Sequence, residues 1–160
     1  MDLMFKRIII TILIAFSILI IISYFPFREK IAESPLNHQL LESGKKTLRI
    51  NELTLTAEIA DEPHERTQGL SGRETLADNQ GMLFIFPWPT LPPFWMKDMK
   101  FPLDLLWINE NGIIIEITKN VSPATFPQTF SPPSPILYVL EVNSGWSDKN
   151  KIKVGDKISL

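Results

Sequence analysis

LDLLWINENGIIIEI, residues 103–117, decides the fold. Leu103–Ile108 is an apolar run of strand length, and Ile113–Ile117 is a second one rich in β-branched side chains. Between them Asn111-Gly112 favours a tight reversal, because both residues tolerate the positive φ that hairpin turns demand. Working upstream, Leu53, Leu55, Ala57 and Ile59 alternate with Thr54, Thr56 and Glu58, after Leu48 and Ile50, with Asn51-Glu52 as the turn. That period of two predicts a hairpin with one buried face. Gly81–Phe86 and Ile136–Val142 are further strands, and Ile158–Leu160 is placed to close the sheet. Asp61 is positioned to cap a short helix, with Pro63 in its first turn and Gly69 at its end. Proline-rich loops follow Phe86 (Pro87, Pro89, Pro92, Pro93) and Val121 (Pro123, Pro127, Pro132, Pro133, Pro135). The expected fold is mainly β, a small antiparallel barrel or sandwich with one or two short helices.

The N-terminal part is different. Ile8–Phe27 is twenty residues without a charge, and at ~1.5 Å per residue it reaches the ~30 Å of a hydrocarbon core. Tyr24, Phe25 and Phe27 suit the interface, and Pro26 suits the helix end. A cleavable signal peptide is the competing reading. The apolar run exceeds the ~7–15 residues of a signal core, and the nearest small-x-small triplet, Ala32-Glu33-Ser34, is followed by Pro35. The expectation is an uncleaved single-pass transmembrane helix, with the lipid bilayer as partner through residues 8–27. Lys6 and Arg7 before the span are nearly matched by Arg28 and Lys30 after it. The short tail and Glu29, Glu33 and Glu42 favour a cytoplasmic N-terminus and an extracytoplasmic C-terminal domain. The chain thus reads as residues 1–27 tail and anchor, 28–46 polar stem, and 47–160 β-rich domain.

Composition removes several functions. The 160 residues are 44% hydrophobic and 21% charged with a net charge of −2, and no basic stripe interleaves with aromatics, so nucleic acid is not an expected partner. No cysteine is present, which excludes thiol nucleophiles, thiolate metal sites and disulfides. His38 and His64 have no metal-ligand spacing, so neither a metal nor another cofactor is expected. Ser71 and Ser144 lack a histidine placed to activate them, and Gly69 and Gly72 do not form a phosphate-cradling loop.

Strand parity picks out charges among apolar neighbours. Asp104 shares parity with Leu106 and Ile108, Lys97 with Trp95 and Met99, and Asp98 with Phe94 and Met96. Both faces of Ile136–Val142 are apolar, which puts Glu141 at a partly buried sheet edge. Such charges need partners, and Arg66, Arg73 and Lys97 are the candidates. One reading has the arginines pinning helix and loop to the sheet through Asp104 and Glu141. The other has a ligand-binding site built from Arg66, Arg73, Trp95, Lys97, Asp98, Asp104 and Glu141.

Glu65-Arg66-x-x-Gly69-Leu70-x-x-Arg73, Gly81–Phe84, Phe94–Lys97, Pro102–Asp104, Tyr138–Val142 and Gly155-Asp156 occur in that order. From about Thr47 onward the chain resembles the domain of unknown function 192 family. The resemblance implies a small β-rich domain, often behind a signal peptide or membrane anchor, and implies no activity, because the family is uncharacterised. Ser71 stands where methionine is common, Asp98 where asparagine is usual, and the stretch Ser122–Pro135 lacks the cysteines that relatives often carry there.

Two functions remain open. The first is a non-catalytic module of the cell envelope binding a polymer, a small molecule or an exported protein through aromatics such as Trp88, Phe94 and Trp95. The alternative is a small hydrolase using a carboxylate pair drawn from Asp98, Asp104 and Glu141. The anchor has a direct consequence: the full chain sediments with membranes and resists carbonate extraction, and deletion of residues 1–27 releases it. A full chain that stays in the supernatant with its N-terminus intact rules the anchor out.

Overall fold

The computed structural model describes residues 44–159. The apolar stretch 8–27 and the stem as far as residue 43 lie outside the described residues. Among those described, no helix is long and apolar enough to cross a membrane.

Nine strands and two short helices make a mainly β domain: β1 (Lys45–Ile50), β2 (Leu53–Ala60), α1 (Pro63–Gln68), β3 (Gln80–Thr90), β4 (Phe94–Trp95), β5 (Leu103–Ile108), β6 (Ile114–Val121), β7 (Thr129–Phe130), β8 (Ile136–Asn143), α2 (Trp146–Lys149) and β9 (Ile158–Ser159). Seven strands form one sheet, curled into a half-barrel, in the order β6-β5-β8-β3-β2-β1-β9. β4 and β7 form a separate two-stranded ribbon. β1 begins at Lys45, inside the span read as stem.

The β1–β2 hairpin turns at Asn51-Glu52, Asn51 taking φ 55°, and pairs Ile50 with Leu53. Leu48, Ile50, Leu55 and Ala57 are buried. In the second hairpin the Asn109 side-chain oxygen accepts from the backbone N–H groups of Asn111 and Ile113, both at 3.0 Å, so β5 and β6 are joined through a side-chain-braced loop.

Two expectations need correction. The sheet is not wholly antiparallel: β2 and β3 run parallel, pairing Thr56 with Gln80 through Ala60 with Phe84. The reason is α1, which carries the chain across so that it re-enters in the same direction. The segment after Phe86 is not all loop either. β3 continues through Pro87 and Pro89 to Thr90, with its register against β8 broken between Ile85 and Thr90, where prolines cannot donate to the ladder.

The sheet has a core on each face. Leu83, Leu106, Ile108, Leu140 and Val142 pack with the β1–β2 hairpin and α2 on one side. Phe84, Leu103, Leu105, Trp107 and Val139 pack with Leu70 and Met96 on the other. β5 is buried at all six positions, as expected of a strand covered on both faces.

The C-terminal segment ties the two edges of the sheet together. β9 pairs with β1, Ile158 against Ile50, while the Ile158 N–H donates to the Gly112 carbonyl at 2.8 Å and the Ile114 N–H to the Asp156 carbonyl at 3.0 Å. Gly112 has φ 77°, and a Cβ there would sit 2.7 Å from the Ile158 carbonyl oxygen. Only glycine lets these segments meet.

Asp104 is fully buried and holds α2 in place. Its carboxylate accepts from the backbone N–H groups of Asn120 (3.0 Å), Gly145 (3.2 Å) and Ser147 (3.1 Å). Charge-assisted bonds of this kind are the strong ones, and losing the acceptor strands the donors. Asp104→Ala should therefore destabilise the domain by roughly 3 kcal/mol, read as a lowered urea midpoint. An unchanged midpoint would show that these bonds contribute nothing net.

Candidate functional site

α1 is short, and its position is set by specific bonds. The Glu65 carboxylate accepts from the N–H groups of Glu62 and Asp61, each at 3.1 Å. Glu62 therefore occupies the cap position, where Asp61 was expected. The hydrogen bond from Glu62, with that from Asp61 adding to it, holds the Glu65 pKa below the usual carboxylate range. Arg66 reaches from the helix to the sheet: its guanidinium donates to the Ile85 carbonyl at 2.9 Å and to the Asp61 carbonyl, and lies 5.5 Å from the Phe86 ring centre. Beyond the helix, the Ser71 hydroxyl donates to the Lys97 carbonyl at 2.8 Å and the Gly72 N–H to the Asp98 carbonyl at 2.9 Å. Residues 69–73 are thereby stitched to residues 94–99.

Between these segments and the sheet lies a cleft of about 310 Å³. Phe84, Phe86, Phe94, Trp95 and Met99 give it an aromatic and apolar lining, Arg66, Thr67, Gln68 and Ser71 are its polar members, and Glu141 reaches it from β8. Phe94 meets Phe84 and Trp107 edge-on, with ring centres 4.9 and 5.4 Å apart, which holds its wall rigid. A neighbouring recess is lined by Trp95, Lys97, Asp98, Ser71 and Gly72.

Glu141 is the unusual member. It lies on a central strand between β3 and β5, not at the sheet edge, and is 6% exposed. Its carboxyl makes no hydrogen bond or ion pair among the described residues. Desolvation pushes its pKa up from 4.5 to about 8; with no counter-charge, the neutral acid is favoured at pH 7.

The expected partners are otherwise engaged. Arg73 forms a two-pronged pair with Glu58, at 2.7 and 2.6 Å. The hydrogen bonds that Arg73 donates to Glu58 lower the Glu58 pKa and raise that of Arg73. Arg66 and Arg73 do pin helix and loop to the sheet, but through backbone carbonyls and Glu58. Asp104 and Glu141 play no part in that pinning. Lys97 and Asp98 are exposed, on a turn where Asp98 takes φ 55°, so the strand parity assumed for them does not apply.

Asp104 and Glu141 do not form a carboxylate pair. Leu105 is directly opposite Glu141, and Asp104 is opposite Val142. Directly paired residues share a face, so Asp104 and Glu141 project from opposite faces of the sheet. Of the seven candidate residues, Arg66, Trp95 and Glu141 meet at the cleft, Trp95, Lys97 and Asp98 line the recess, and Arg73 and Asp104 serve the fold. Among the described residues no cluster of three metal-ligating side chains occurs.

The cleft walls at Leu70, Phe84, Phe86 and Met99 were missed as site residues, because apolar side chains in strands read as core. A signal was available: Glu65–Arg73, Gly81–Phe84, Phe94–Lys97 and Tyr138–Val142 all deliver residues to this one place. Gly81 belongs to the same construction. A Cβ there would lie 2.7 Å from the Glu141 carbonyl oxygen, so the glycine permits β3 and β8 to approach beside the buried acid.

An unfolded glutamate titrates near 4.5 and Glu141 near 8. Between those values the folded chain holds a proton that the unfolded chain has lost. The contribution of this group to stability is therefore intact below about pH 4.5 and declines, by about 1.4 kcal/mol per unit, as pH rises toward 8. Glu141→Gln should remove that decline, so the variant gains on the wild type from pH 5 to 8 in urea titrations. Parallel pH profiles for the two proteins would refute the raised pKa.

Two solved structures share this architecture. A protein from Sinorhizobium meliloti 1021, proposed to be a transcription regulator, is 33% identical, with 72% of this chain and 92% of that chain covered and a TM-score of 0.69. A protein of unknown function from Novosphingobium aromaticivorans DSM 12444 is 28% identical, with 72% and 85% covered and a TM-score of 0.68. No curated protein matches the chain. Residues 46–160 match the family described as DUF192, Uncharacterized ACR. The chain belongs to the DUF192 family.

Proposed function

We propose that this domain is a non-catalytic binding module that takes a small, largely apolar molecule, or an apolar group on a larger one, into the cleft between α1, β3 and residues 92–99. One observation carries the reading: Glu141, a residue 6% exposed whose carboxyl has no partner among the described residues, lines an aromatic-walled cleft. A carboxyl on so desolvated a strand is poorly hydrated, and a ligand that hydrogen-bonds to it offsets part of that desolvation cost. Concave, mostly apolar sites with a few converging polar groups are the common form of small-molecule sites. The hydrolase reading loses support, since among the described residues Glu141 is the one carboxyl lining the cleft.

The uncharged stretch 8–27 supports a membrane tether, with the domain outside the cytoplasm and its ligand drawn from the cell envelope; membrane partition is its test. A role in transcription, proposed for the Sinorhizobium protein, finds no support in this chain's net charge of −2 and lack of a basic stripe.

A fragment screen followed by amide chemical shifts tests the cleft. Aromatic fragments should shift Gly69, Leu70 and Ser71 while leaving α2 unmoved. Trp95→Ala, at a side chain 40% exposed, should weaken the hits about tenfold without unfolding the domain. A screen that moves none of these amides overturns the proposal.

A further inference from the structure

The cleft's polar groups specify the chemistry of its occupant. Glu141 and Arg66 are the ionisable residues lining it. Arg66 uses one guanidinium nitrogen, Nη1, for the Asp61 and Ile85 carbonyls, which leaves its remaining N–H groups without a bond among the described residues. With Glu141 uncharged, the lining carries a net positive charge. Away from its exposed rim, where Thr67 and Gln68 offer acceptors, the donors it offers without partners are the acid O–H of Glu141 and the spare N–H groups of Arg66.

The surroundings of Glu141 support the same reading. On its own face the cross-strand neighbours are Met82 and Leu105, neither ionisable. Glu58, one strand further along the row, is engaged by Arg73. From α1, Arg66 lines the cleft while His64 and Glu65 do not, and from residues 94–99 Lys97 and Asp98 line the recess instead. No cation is paired with Glu141, so it stays an acid until a ligand changes its surroundings.

We infer that the cleft selects an apolar molecule bearing a carbonyl acceptor, with the undissociated carboxyl of Glu141 donating the hydrogen bond that fixes its orientation, and that it discriminates against amines. The inference rests on the binding reading above and deepens it. A cationic amine would have to approach beside Arg66 and would require Glu141 to ionise in a desolvated site, whereas a ketone, amide or ester requires neither.

A matched pair separates the two chemistries: 4-phenylbutan-2-one and 4-phenylbutan-2-amine share one skeleton and differ at the polar group. Both are titrated into the labelled domain from pH 6.5 to 9 and read at the amides of Gly69 and Ser71. The ketone should bind at least tenfold tighter than the amine at pH 6.5, and its affinity should fall severalfold by pH 9 as Glu141 loses its proton. Glu141→Gln keeps an N–H donor, so it should retain ketone binding and lose the pH dependence; Glu141→Leu should weaken the ketone severalfold and also lose the pH dependence, with the amine still disfavoured beside Arg66. Preference for the amine, or ketone binding indifferent to pH and to Glu141→Leu, overturns this inference and leaves the binding module standing. Failure of both probes to move the cleft amides counts against the inference and the module together.

Discussion

Strand β8 lies in the middle of the sheet, between β3 and β5, with cores on both sides. That position removes water from the side chains in the run Val139–Val142. For Leu140 or Val139 the consequence is ordinary hydrophobic stabilisation, about 1.5–3 kcal/mol for each large apolar side chain fully buried. For Glu141 it is a desolvated acid, and the charge state of the cleft follows from it. The same constraint explains Asp104 on the neighbouring strand, which is equally buried but answered by three backbone N–H groups. Two carboxyls one row apart thus have opposite fates. One is structural because it is saturated with donors, and the other is available because it has none.

The cleft depends on the parallel β2–β3 pair. A simple hairpin there would have left no crossover, and so no helix above this face. Because the chain leaves β2, forms α1 and returns beside β2, Arg66, Gly69 and Leu70 are brought over Phe84 and Phe86. The bonds from Ser71 and Gly72 to the carbonyls of Lys97 and Asp98 then close the far wall. The site is therefore a by-product of topology, assembled from segments that are remote in the chain.

Much of the β framework was legible in the residues. The β1–β2 hairpin follows from strict alternation about Asn51-Glu52, and the β5–β6 hairpin from Asn111-Gly112, because local turn chemistry and period-two patterning act over a few residues. The strand at Ile136–Val142 was legible too, but not its place: a sequence apolar on both faces was read as ending at an edge, whereas it is central. The parallel pairing escaped notice because no local signal distinguishes a crossover from a long loop. Partner choice was the least legible. Arg73 goes to Glu58 and not to Asp104 or Glu141, since ion pairing is decided by which strands become neighbours. Glu141 was singled out as a charge in apolar company, Arg66 as a candidate partner for such a charge and Trp95 as an aromatic contact, and the three do share the cleft. The prolines of β3 hid a strand behind a composition typical of loops.

The short final strand has a role beyond pairing two residues. An open sheet offers rows of unsatisfied N–H and C=O groups at its margins, which can recruit another copy of the chain. Here β9 covers the Arg49–Ile50 end of β1, and the other end of that strand carries Lys45 and Lys46, whose charges oppose stacking. At the opposite margin β6 presents Glu116 and Lys119. Losing the last few residues would bare the Arg49–Ile50 end of β1, the part of that edge its lysines do not guard, and the first symptom would be self-association through it before any change in the cleft.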